Sequence, residues 1–230
     1  MAKILFLMSA ADHWTLADGT KHPTGYWAEE FTAPYETFTA AGHEVEVATP
    51  GGVTPTVDRA SLAEDAAGGA EAVRRIERVL DSAEPLRHPR ALGDLDLADY
   101  TAVFVPGGHG PMEDLAVDAE AGRLLGDVVR AGLPLGVVCH GPAALLATGG
   151  DQESPFRGYR VTAFSNAEER QAGLADRAPW LLADRLTELG VDYREGPPWE
   201  AHVEVDRTLY TGQNPASAGP LAERMLAALG

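Results

Sequence analysis

Short apolar runs alternate with amphipathic, charge-bearing segments along this chain. That alternation limits its fold more than any other feature. Residues 2–8, 102–105 and 133–138 are apolar stretches of strand length, and 44–49 alternates apolar with polar as a half-buried strand does. Residues 202–205 and 209–211 read as two further strands around an Asp206-Arg207 turn. Between them lie helical patterns at 26–41 (with Gly42 as its stop signal), 71–80, 119–131, 180–189 after Pro179, and 221–229. Strand and helix units in alternation imply an α/β fold, a three-layer sandwich. Its mostly parallel, flavodoxin-like sheet is covered by helices on both faces. In such sheets ligands bind beyond the carboxyl ends of the strands, where Gly107-Gly108 and Cys139 both fall.

A length of 230 residues suits one large α/β domain or two small ones. The absence of a low-complexity linker favours one domain over 1–230, with a loose helical excursion at about 54–97. A net charge of −17 argues against nucleic acid and against anionic membranes as partners. No apolar run approaches the roughly 20 residues that span a bilayer. Residues 1–8 are too short an apolar run for a signal peptide. One cysteine excludes an internal disulfide and fits a reducing, cytoplasmic setting. His13, His22, His43 and His88 are scattered, with no pair at helical ligand spacing, so no zinc site is expected. Neither a phosphate-binding lysine loop nor Gly-x-Gly-x-x-Gly is present, so no nucleotide cofactor is expected.

The single cysteine is the sharpest chemical signal. The apolar run ending at Val138 is followed at once by Cys139-His140-Gly141-Pro142, and Ala143-Ala144-Leu145-Leu146 begins a helix. The thiol thus stands on a strand-to-helix elbow, facing the positive end of the next helix, a setting that favours thiolate. A second signal is Glu30. Trp27, Phe31, Pro34 and Phe38 share one helical face; Glu30 lies at its edge, and Glu29 points almost oppositely. A carboxyl pressed on that face holds its proton near neutral pH. Pro34 is expected to kink or restart the helix.

Four motifs stand in order: Thr24-Gly25-Tyr26-Trp27-Ala28-Glu29-Glu30, Pro106-Gly107-Gly108-His109-Gly110, Cys139-His140-Gly141-Pro142 and Thr211-Gly212-Gln213-Asn214-Pro215-Ala216-Ser217. Together they resemble the ThiJ/PfpI superfamily, which shares the class I glutamine amidotransferase-like fold. Within it the chain is most similar to the heat-shock glyoxalase (glyoxalase III) branch. The resemblance implies Cys139 as nucleophile, Glu30 as its carboxyl partner and His140 as general acid or base. It also implies a carboxylate that orients His140, with Glu169 the better match and Glu168 the alternative. Gly107 and Gly108 would present backbone N–H groups to a substrate oxygen, together with that of His140. His109 adjoins the site but is left outside the catalytic set. His202-Val203-Glu204 imitates the His-x-Glu of glutamine amidotransferases, yet His140 already supplies the histidine.

The activity implied is a cofactor-free conversion of methylglyoxal to lactate without glutathione, with a small dicarbonyl substrate and a homodimeric protein. Two rivals stand beside it. One is a cysteine peptidase or amidase of the same fold, needing an open groove where Tyr26 and Trp27 suggest a closed pocket. The other is a stress chaperone or redox sensor with little turnover.

Overall fold

The computed structural model describes residues 2–149 and 153–230. Seven strands form the central sheet: β1 (Lys3–Leu7), β4 (Glu44–Thr49), β5 (Arg90–Ala91), β6 (Ala102–Val105), β7 (Leu135–Val138), β10 (Val203–Asp206) and β11 (Leu209–Gly212). Their order across the sheet is β10-β11-β7-β6-β1-β4-β5. Every neighbouring pair is parallel except the β10–β11 hairpin, whose turn holds Arg207 at φ 55°. The five inner strands β4-β1-β6-β7-β11 follow the flavodoxin-like order 2-1-3-4-5. The chain reverses direction across the sheet between β1 and β6, so a crevice opens there at the carboxyl ends.

Side-chain alternation along the strands sorts two cores. Leu5, Leu7, Val103, Val105, Leu135 and Val137 face one side, with Leu124, Leu125 and Val128 of helix Ala119–Ala131 and Leu186 of helix Leu182–Leu189. Ile4, Phe6, Val45, Val47 and Phe104 face the other. That side is covered by α1 (Ala28–Ala40), through Phe31 and Phe38, and by helix Ala218–Leu229, through Leu221 and Met225. Strands β6 and β7 are buried at every position. This is the continuous apolar pattern of strands covered on both faces.

Segment 54–97 follows no sheet of its own. Its helix Ala70–Ser82 lies against α1, where Arg75 pairs with Glu29 and Glu36, and its strand β5 adds to the edge of β4. Two short pairings escape the periodicity: the hairpin β2 (His13–Thr15) with β3 (Lys21–Pro23), and β8 (Arg160–Val161) with β9 (Asp192–Tyr193). Each is too short to carry a readable alternation. α1 runs through Pro34 without a break, so the expected restart does not occur. Proline removes only the hydrogen bond to the carbonyl of Glu30, and neighbouring helix contacts hold the turn. The helix expected after Cys139 is present as a 3-10 segment, Gly141–Thr148. Among the described residues no helix is long and apolar enough to cross a membrane.

Candidate active site

Cys139 closes β7 with φ at 60°, the left-handed region that L-residues avoid. The strain is held from both sides: Cys139 N–H donates to Gly212 O at 2.9 Å, and Phe164 N–H donates to Cys139 O at 2.9 Å. Such over-determined outliers cluster at functional sites. The side chain is buried, with only 3% of the residue exposed.

The three partners come from separate elements. His140 follows the elbow, and its Nδ1 lies 3.3 Å from Cys139 Sγ. Its Nε2 lies 2.7 Å from Glu169 Oε2. Glu30 projects from the first turn of α1, fully buried, and its Oε2 accepts from Gly107 N–H at 2.7 Å. Its Oε1 is buried without a well-formed bond, with the Cys139 thiol as a close hydrogen-bonding neighbour of the carboxyl.

Burial decides the protonation states. It pushes the Glu30 carboxyl up to about 8, against the lowering effect of the thiol and the Gly107 N–H. It pushes His140 down to about 4, with His109 adding to the effect. Glu169 is held well below the ordinary carboxylate range by His140 and His109, which outweigh its own burial. At neutral pH the site therefore holds a neutral Glu30, a neutral His140 and an ionised Glu169. The Cys139 thiol is pushed up by burial and by Glu30. This corrects the expectation of a resting thiolate: desolvation outweighs the helix end. Gly108 N–H is the group that works in the opposite direction, by bonding to the sulfur.

The glycines are sterically required. A Cβ on Gly107 would stand 2.6 Å from His140 N and 2.8 Å from Glu30 Oε2. Gly108 has φ +83°, and a Cβ there would stand 2.3 Å from Gly25 O. The Gly107 N–H is already committed to Glu30. A substrate oxygen that used the Gly107 N–H would have to share it with Glu30.

The choice between the adjacent glutamates rests on a cap. Ser165 caps helix Asn166–Gln171 and forms a capping box with Glu168, which points Glu168 back at the helix start. Glu168 then accepts from Ser165, Trp199 N–H, Gln213 and Asn214. Glu169, one residue on, turns toward His140. The Ser-x-x-Glu spacing from Ser165 to Glu168 is what makes the capping box possible. Gln213 and Asn214 also hold the carbonyls of Gly196, Pro197 and Glu200. The Gln213-Asn214 motif therefore anchors the loop bearing Trp199, which meets Phe164 edge-on at 5.5 Å. Phe164 in turn lies 4.4 Å from the His140 ring.

His109 is the residue the sequence reading left out. Its Nε2 lies 2.9 Å from Glu169 Oε1, and its ring stands 4.0 Å from that of His140. His109, His140 and Glu169 each offer an atom within 4.8 Å of the others, the one grouping among the described residues that could hold a metal ion. Helical ligand spacing could not reveal it, because three separate segments supply it. His202 pairs with Glu204 on β10 and contacts none of these groups.

Residues 23–228 match the DJ-1/PfpI family. The chain belongs to the DJ-1/PfpI family. A relative within reach is the protein/nucleic acid deglycase HchA of Pseudomonas aeruginosa, 30% identical over 236 residues, covering 96% of this chain and 78% of that protein. Among solved structures, the Rapid Encystment Protein 24 kDa of Francisella tularensis superposes with a TM-score of 0.87 at 27% identity, covering both chains fully. Glyoxalase III of Candida albicans gives 0.83 at 26% identity, covering 99% of this chain and 97% of its own.

Proposed function

We propose that this protein is a glutathione-independent glyoxalase that converts methylglyoxal to lactate through a Cys139 hemithioacetal. The observation that carries the reading is the buried Cys139 beside a proton-holding Glu30 and a neutral His140. A nucleophile 3% exposed admits a small dicarbonyl far more readily than a peptide, which disfavours the peptidase reading. The likeness to glyoxalase III of Candida albicans supports the same choice. The deglycase name of the bacterial relatives supports glycated amines as a second substrate class.

In the mechanism, the Sγ proton passes to His140 Nδ1 and then to the aldehyde oxygen as sulfur bonds to the aldehyde carbon. Neutral His140 next removes the proton on that carbon, and Glu30 donates its proton to the neighbouring ketone oxygen, giving an enediol. His140 returns its proton to the ketone carbon, and Glu30 regains one from the other hydroxyl. The result is a lactoyl thioester, which water cleaves. A carboxyl that keeps its proton to about pH 8 suits this exchange, as does a histidine that stays a base down to about pH 4. The test is lactate formation from methylglyoxal without glutathione, comparing wild type with Cys139→Ala and Glu30→Gln. Turnover lost in both variants is expected. No turnover by intact, reduced wild type would refute the reading and favour a holdase or amidase.

A further inference from the structure

Two histidines share one carboxylate in this site, and only one of them faces the nucleophile. His140 uses Nε2 on Glu169 Oε2 and turns Nδ1 to the sulfur. His109 uses Nε2 on the other oxygen, Oε1. An ionised carboxylate only accepts hydrogen bonds, so the His109 Nε2 proton faces Glu169 and Nδ1 is left on the far side of the ring. That nitrogen has no partner among the described residues. The ring is fixed nonetheless: Trp14 stacks on it at 5.1 Å and 18°, and His22 stands edge-on at 6.3 Å. The two imidazoles also differ in access. The His140 side chain is 1% exposed and that of His109 is 12% exposed, so His109 stands on the solvent side of the cluster.

We propose that His109 is a further catalytic residue, the general base that activates the water cleaving the acyl-enzyme. This rests on the glyoxalase reading above. Once the lactoyl group is on sulfur, the Nδ1 of His140 faces the acylated atom and Glu30 holds a proton. His109 offers a second nitrogen, Nδ1, and stands on the side from which water reaches the cluster. Its Nδ1 takes one proton from water, and the water oxygen bonds to the thioester carbon. The tetrahedral intermediate collapses, the C–S bond breaks, and the leaving sulfur takes the Glu30 proton. The product acid returns a proton to Glu30 as it leaves as the carboxylate, and His109 releases its own to solvent. One thioester and one water thus give a hydroxy acid anion, a free thiol and a proton. Glu169 steadies the imidazolium in both halves of the cycle: that of His140 while carbon chemistry proceeds, that of His109 during hydrolysis. Rings 4.0 Å apart do not carry both charges together, so one carboxylate serves the two in turn.

His109→Gln tests this, because glutamine keeps a donor toward Glu169 and removes the Nδ1 base. Protein is mixed rapidly with methylglyoxal, quenched in acid, weighed intact, and assayed for lactate. The expected result is a single acyl adduct per chain, formed at the wild-type rate and cleaved by hydroxylamine, with steady turnover lowered by about 100-fold or more. Adding hydroxylamine during turnover, a nucleophile that needs no base, should release the adduct at a rate near that of wild type. Normal adduct formation is itself the check on folding, and His109→Asn is run in parallel should glutamine disturb the fold. Unchanged turnover, or slowed adduct formation with nothing accumulating, would overturn the proposal while leaving the glyoxalase reading intact. Failure of wild type to make lactate would instead refute that reading, and this inference with it.

Discussion

Replacing Glu30 with glutamine should stabilise the protein in alkaline solution while it destroys turnover. Glu30 is fully buried and keeps its proton to about pH 8, whereas an unfolded glutamate releases it near 4.5. Between those values the folded state binds a proton that the unfolded state has lost. Stability therefore falls as pH rises, at about 1.4 kcal/mol per pH unit. From pH 5 to pH 8 the loss attributable to Glu30 is about 4 kcal/mol, a large share of a typical folding free energy. Glutamine carries no such charge, and its amide oxygen can still accept from Gly107 N–H. The assay is urea unfolding of wild type and Glu30→Gln at pH 5, 6, 7 and 8. The free-energy curves should diverge with pH, the variant gaining on wild type at each step. Parallel curves would refute the reasoning, since they would mean that Glu30 is ionised and solvated in the folded protein.

Four further outcomes follow from the same geometry. The pH profile of kcat/KM should be bell-shaped, falling below about pH 4 as His140 takes up a proton and above about pH 8 as Glu30 loses one; initial rates across that range check both limbs. Glu169→Gln should lower kcat by about 1,000-fold or more, by unsettling the His140 tautomer. Glu168→Gln should cost about 2 kcal/mol in urea unfolding, because an amide faces donors from Ser165, Trp199, Gln213 and Asn214. Gly108→Ala should cost about 3 kcal/mol, since its Cβ would meet the backbone at Gly25 in a left-handed conformation. Denaturant midpoints and the yield of folded protein measure that loss.

The sequence by itself determined the layered fold and the local placement of the nucleophile. Residues 44–49, 102–105 and 119–131 have matching element bounds in the structure, because long periodic segments bury a face set by their own spacing. The elbow at Cys139 and the inward face of Glu30 were legible for the same reason: each depends on a few neighbours in the chain. Tertiary structure alone decided the electrostatics. The resting thiol, the neutral His140 and the Gly107 N–H held by Glu30 all follow from burial among segments more than 20 residues apart. No local pattern encodes that desolvation. His109 belongs with these. Its motif was visible at once, but its function depends on Glu169, 60 residues further along, and only the folded sheet brings the two together.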